Sequence, residues 1–140
     1  MSLSGLVIVN YGKNQLVEST SGEIIRCVAR RGLRQIVCGD EVEWLRNADD
    51  SGVIETIRPR RSVLNRADGN SGQRPLVANI DQVVIEAALE PALDYFLIDK
   101  YCVAAELAQT TPLIVINKSD LLQDSDRERI DTLIEEYRRI

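Results

Sequence analysis

Leu113-Ile114-Val115-Ile116-Asn117-Lys118-Ser119-Asp120 is a wholly apolar run that ends at once in an amide, an ammonium, a hydroxyl and a carboxylate. A short apolar run of this kind is expected as a strand buried on both faces, as in parallel sheets covered by helices. Ligands of such sheets bind just beyond the carboxyl ends of the strands, where Asn117 to Asp120 fall. The competing use of Asp120 is to cap the next helix, and Asn-Lys is ordinary loop composition. At average residue usage an Asn-Lys-x-Asp tetrapeptide arises by chance in about 2% of chains this long. The strand directly before it is therefore what gives the tetrapeptide weight.

Outward from this stretch, residues 79–140 read as strand, helix, strand, helix. Gln82–Ala88 is a second apolar strand. Pro91 is expected to open a helix whose stripe is Leu93, Phe96, Leu97, Tyr101, Ala104, Ala105 and Ala108. Thr110-Thr111-Pro112 ends it and returns the chain to the Leu113 strand, giving one crossover unit with parallel strands. After Asp120, Ser125 and Glu128 have capping-box spacing, and Ile130, Leu133, Ile134 and Tyr137 form the stripe of a last helix.

Residues 1–62 have a different texture: short alternating strands with turn signals every few residues. Leu6–Asn10, Gln15–Glu18, Glu23–Arg30, Asp40–Arg46 and Val53–Arg58 are the expected strands. In the third, Ile25, Cys27 and Ala29 share one face; in the fourth, Val42 and Trp44 do. Five short strands so spaced suggest a small closed barrel, with an oligonucleotide-binding (OB) barrel the natural candidate and an SH3-like one left open by spacing alone. Its basic residues gather at Arg30, Arg31 and Arg34, and again at Arg58, Arg60 and Arg61, which are the candidate contacts to RNA phosphates. Tyr11 and Trp44 are the aromatic residues of this part, few for base stacking, so recognition of structured RNA by backbone and shape is expected.

Between the two parts, Asn65–Pro75 is polar and rich in glycine and reads as a linker. Its Gly69 and Gly72 make no phosphate loop, and no G-x-x-x-x-G-K-[ST] occurs anywhere in the 140 residues. Net charge is −5 and unevenly spread: residues 1–78 carry eleven basic and nine acidic side chains, residues 79–140 six and thirteen. Such asymmetry hints at a part that faces nucleic acid. No apolar run approaches the length of a bilayer span, and the amino terminus lacks the pattern of a secretory signal. Cys27, Cys38 and Cys102 form no C-x-x-C pair, which argues for a reducing cytoplasm and for cysteines that act as small buried apolar side chains.

Asn117-Lys118-Ser119-Asp120 resembles the guanine-specificity motif of GTPases, Asn-Lys-x-Asp. The physical basis is donor–acceptor matching. Guanine offers N1–H and its 2-amino group side by side to one carboxylate, whereas adenine has a bare N1 and no 2-amino group. Each hydrogen bond to a charged group is worth roughly 1.5–3 kcal/mol, enough to reject ATP. The resemblance implies that Asp120 reads that edge, that Asn117 bonds the other edge of the base, and that the stem of Lys118 lies over its plane.

A barrel, a polar linker, and then Ala78-Asn79-Ile80-Asp81-Gln82, Leu97-Ile98-Asp99-Lys100-Tyr101 and Asn117-Lys118-Ser119-Asp120-Leu121-Leu122 together resemble the circularly permuted GTPases of small ribosomal subunit biogenesis, the RsgA/YjeQ family. The order of parts is the specific feature, because ordinary GTPases carry the phosphate loop early and the guanine motif late. The resemblance implies an all-β OB-fold barrel (1–62), a linker (63–78) and the first β-α-β-α part of an α/β P-loop-type GTPase domain (79–140). It also implies a cytoplasmic enzyme with GTP/GDP and Mg2+, the small ribosomal subunit and its rRNA as partners, and a zinc-binding domain at the far carboxyl end. The phosphate loop, the Mg2+ segments and the zinc ligands would follow Ile140, so the chain is expected to be part of a longer protein. No residue here offers a catalytic group or a metal ligand set. The chain alone is expected to bind nucleotide feebly and hydrolyse none. The alternatives are a non-enzymatic RNA-binding OB module and an inactive scaffold.

Overall fold

β1 (Leu3–Asn10), β2 (Asn14–Ser19), β3 (Ile24–Ala29), β4 (Glu41–Arg46) and β5 (Gly52–Ile57) close into a barrel in the order β1-β2-β3-β5-β4. The computed structural model describes residues 2–33, 35–68, 72–88 and 93–139. β3 and β5 run parallel, every other neighbouring pair is antiparallel, and β1 against β4 shuts the ring. This order, with its single parallel pair, is OB-like, and it decides between the two barrels that strand spacing leaves open.

Alternation along the strands builds the barrel core: Val7, Val17, Ile25, Cys27, Ile36, Val42, Trp44 and Ile54 are buried together. Trp44 needs room, and glycine supplies it. A Cβ on Gly52 would lie 2.6 Å from Cys27 Sγ and 2.8 Å from Trp44 Cε3, and one on Gly5 would lie 2.5 Å from Val17 Cγ1. Burial also pushes the Cys27 thiol up to about 11, so it stays protonated. Cys38 and Cys102 are only half-buried, unlike the expectation for all three.

The stretch read as a linker is largely ordered pairing. β6 (Val63–Asp68) and β7 (Gly72–Ala78) form a separate antiparallel ribbon. Much of the polar stretch that suggested a linker lies within the paired strands, and apolar residues at the base, with Leu64 opposite Val77, start the pairing. Gly69 lies outside the described residues.

β8 (Gln82–Ala87) and β9 (Thr111–Ile116) pair in parallel, joined by α1 (Tyr95–Leu107), as the strand–helix–strand pattern requires. The expectation of burial on both faces is corrected. α1 packs on the pair and the face bearing Ile85 is covered, but Val84, Leu113 and Val115 on the other face are exposed. Two strands and one helix have only one layer to share.

The stripe expected on α1 is corrected in part. Ala105 and Ala108 are buried as expected, and so is Ile98 outside the stripe, whereas Phe96 is 77% exposed and Leu97 and Tyr101 are exposed as well. Apolar residues occur all round this helix, so periodicity could not choose a face. Pro91 lies outside the described residues; the helix starts after Asp94, whose carboxylate accepts the Leu97 N–H at 3.1 Å. α2 (Asp124–Tyr137) buries Ile130 and Leu133 as expected. Its N-cap is Gln123 and not Ser125, because the helix begins earlier than expected, and the Asp126 carboxylate accepts the Gln123 N–H at 3.1 Å. The same three-residue spacing recurs two positions back, which is why spacing alone missed it.

Gly52→Ala is expected to lower the unfolding free energy by about 1–3 kcal/mol through overpacking against Trp44. Urea unfolding followed by the fluorescence of Trp44, the one tryptophan of the chain, measures it directly.

Candidate functional site

The parallel register sets the site. Ala87 is level with Ile116, so β8 and β9 end together, and the Asn117 N–H still donates to Ala87 O at 2.8 Å. Asn117 Nδ2 donates to Glu86 Oε1 at 2.6 Å, and Asn117 Oδ1 accepts the Lys118 N–H at 2.7 Å. Lys118 then takes a left-handed conformation, φ 56 and ψ 37, and starts a single 3-10 turn, Ser119–Leu121. For a lysine that conformation costs about 1–2 kcal/mol, and such strain gathers at functional sites. The turn carries Asp120 past the strand end, exposed, with no hydrogen bond or ion pair among the described residues. Asp120 caps neither helix: the N-cap of the 3-10 turn is Lys118, and that of α2 is Gln123.

Glu86 is a site residue that sequence reasoning missed. A lone carboxylate in Val83-Val84-Ile85-Glu86-Ala87 was the available signal. A cavity between α1 and α2, lined by Tyr95, Arg129, Thr132, Leu133 and Glu136, includes none of Asn117 to Asp120. Among the described residues no group of three or more His, Cys, Asp or Glu side chains is placed to hold a metal ion.

The six candidate arginines divide by what they already hold. Arg60 is structural. Its guanidinium grips Asp40 with Nε at 2.7 Å and Nη2 at 2.9 Å, and Nη2 also donates to Gln35 O at 2.7 Å. Asp40 is fully buried, and its Oδ2 also accepts the Val37 N–H at 2.9 Å. Arg58 pairs with Glu43 and Ser4, Arg61 with Asp81, and Arg30 with Glu55, all at the surface. Arg31 is exposed and has no ion pair among the described residues. Arg34 lies outside the described residues.

The geometry of Asn79 explains why an amide stands in Ala78-Asn79-Ile80-Asp81-Gln82. It adopts φ 54, its Oδ1 accepts the Arg61 N–H at 2.7 Å, and its Nδ2 donates to Gly39 O at 2.8 Å. The barrel exit, the barrel loop and the start of the second part thus meet on one side chain.

A barrel with OB-like strand order, followed by a parallel strand–helix–strand unit with a polar loop at its carboxyl edge, defines a two-part α/β class in which the barrel comes first. A family match assigns residues 57–140 to the RsgA GTPase, and the chain belongs to that family of circularly permuted GTPases. It is 44% identical to the small ribosomal subunit biogenesis GTPase RsgA of Sodalis glossinidius, over 97% of this chain and 41% of that protein. It is 42% identical to the RsgA 1 protein of Vibrio parahaemolyticus, over 99% of this chain and 41% of that one. The chain thus spans about two fifths of the length of these curated relatives. Among solved structures it resembles YjeQ from Thermotoga maritima, with TM-score 0.77, 31% identity and coverage of 96% of this chain and 48% of that one. It also resembles YloQ, a circularly permuted GTPase, with TM-score 0.76, 25% identity and coverage of 99% and 49%.

Arg60→Ala leaves the buried Asp40 carboxylate without its counter-charge and is expected to cost about 3–5 kcal/mol of stability. Surface Arg58→Ala is expected to cost under about 1 kcal/mol. Parallel denaturant titrations of the two variants check the difference.

Proposed function

We propose that this chain supplies the RNA-docking barrel and the base-reading edge of a GTPase that acts in small ribosomal subunit maturation. The observation that carries this is Asp120, an exposed carboxylate with no partner among the described residues, set by a strained turn at the carboxyl end of a parallel pair. A carboxylate so held can accept the two adjacent donors of guanine, while Asn117 and the stem of Lys118 supply the remaining contacts to the base, with Ser119 between them. Glu86 orients the Asn117 amide through the bond described above. Affinity for the phosphates and the hydrolytic chemistry belong to a phosphate loop and Mg2+ site that these residues do not contain. Family membership and the names of the relatives support small-subunit rRNA as the partner of the barrel, and therefore a cytoplasmic protein. No helix among the described residues is long and apolar enough to cross a membrane. Arg30, Arg31, Arg34, Arg58 and Arg61 are proposed as RNA contacts of the barrel, with Arg31 the one whose charge is already uncompensated among the described residues of this group. The domain limits 1–62 and 79–140, with the ribbon between them, are proposed as the functional division.

In the intact gene product GTP is expected to bind at least about tenfold more tightly than ATP, from the charged hydrogen bonds of Asp120. Asp120→Asn is expected to erase most of that ratio. Competition titrations with both nucleotides test this, and equal affinity in the unsubstituted protein would remove the guanine assignment.

A further inference from the structure

The ribbon carries an arrangement that its own pairing does not favour. In the β6–β7 register Arg66 stands directly opposite Arg74. Directly opposed residues share a face with their Cβ atoms roughly 5 Å apart, and like charges so placed are destabilising. Both side chains are exposed, and neither makes an ion pair or hydrogen bond among the described residues. Arg30, Arg46, Arg58, Arg60 and Arg61 of the barrel and its exit each hold a carboxylate. Arg26 and Arg31 hold none among the described residues, but Arg26 stands opposite Leu16 and Arg31 lies outside the strands, so neither faces a second arginine in a strand register. A two-stranded ribbon is marginal in isolation, so repulsion across it is not trivial.

We propose that Arg66 and Arg74 form a clamp for the phosphodiester backbone of structured RNA, a contact separate from the barrel surface. An anion between the two guanidinium groups turns their repulsion into attraction, and the planar fork of arginine matches phosphate oxygens. The ribbon strands Val63–Asp68 and Gly72–Ala78 hold no aromatic residue, so the contact is to backbone and not to stacked bases. Pro75, next to Arg74, removes one main-chain donor, which disfavours the recruitment of an extra strand as the use of this edge. This inference rests on the RNA reading of the preceding subsection and adds a place and a chemistry to it.

The rival use of two charges on exposed strands is protection against edge-to-edge association. Two double variants of the 140-residue chain separate the uses. Arg66→Gln/Arg74→Gln removes the charges, and Arg66→Glu/Arg74→Glu keeps two like charges, and hence edge protection, while reversing their sign. Binding of labelled small-subunit rRNA is followed by anisotropy from about 50 to 200 mM salt, the range over which phosphate contacts weaken strongly. The clamp predicts that the glutamine pair lowers affinity about tenfold or more at the lowest salt. It also predicts a log–log salt slope shallower by about 0.9, the value for the one duplex phosphate held between the pair. The glutamate pair is expected to bind more weakly still, although it unfolds at the same temperature as the glutamine pair or slightly lower. Excess GDP is expected not to displace the RNA from the unsubstituted chain; displacement would assign the pair to nucleotide phosphate and overturn the clamp. Unchanged affinity and slope in both variants, with the Arg31→Gln variant still weakened, would overturn the clamp and leave the RNA reading intact. Failure of the unsubstituted chain to bind RNA at the lowest salt would overturn both.

Discussion

The ion pair between Asp40 and Arg60 is the contact on which the arrangement of the chain turns. Asp40 is fully buried in the segment that leads into β4, and Arg60 lies just past the end of β5. Buried pairs of this kind contribute more to fixing geometry than to net stability, because desolvation offsets most of their attraction. Here the geometry fixed is the exit of the barrel. Residues 58–61 are held against residues 35–40, and Asn79 brings the end of β7 back to the same place through Gly39 O and the Arg61 N–H. The Asn79 N–H donates to Ser62 O, so the ribbon leaves and returns at one point, and β8 starts from there.

From that start, the register of two parallel strands decides what the far edge can do. β8 and β9 finish level, the open face of the pair carries Glu86 and Asn117, and the chain must turn sharply at Lys118. The strain at Lys118 and the Asp120 carboxylate, unpartnered among the described residues, are consequences of one local geometry. A turn that merely led into α2 would need neither, since Gln123 and Asp126 already cap that helix.

How much was legible beforehand follows from which residues had one plausible role. Val42 and Trp44 against Glu41 and Glu43 could face only one way, so the barrel strands were readable to within a few residues. The strand order was not, because spacing is blind to which strands pair across the ring. The helical stripe was half-right for the opposite reason: Phe96, Leu97, Ile98, Tyr101 and Val103 put apolar side chains on every face, and packing against β8, β9 and β6 selects Ile98 and Ala105. Polar composition hid the ribbon, whose pairing is announced only by the few apolar residues at its base. Arg60 and Arg58 look alike in sequence, and nothing local reveals that one of them meets a buried aspartate 20 residues away. The tetrapeptide Asn117 to Asp120 was legible as a motif, whereas its anchoring by Glu86 depended on the parallel register.

The central claim is that the carboxyl edge of β9 reads a purine base. Nitrogen–proton correlation NMR of residues 1–140, titrated with GDP and separately with ADP, tests it at the level of single amides. The account predicts shifts with GDP at residues 117–122 and at Glu86, where the Asn117 amide is held, and much smaller shifts there with ADP. Identical responses to the two nucleotides, or shifts centred elsewhere while these amides stay still, would contradict it.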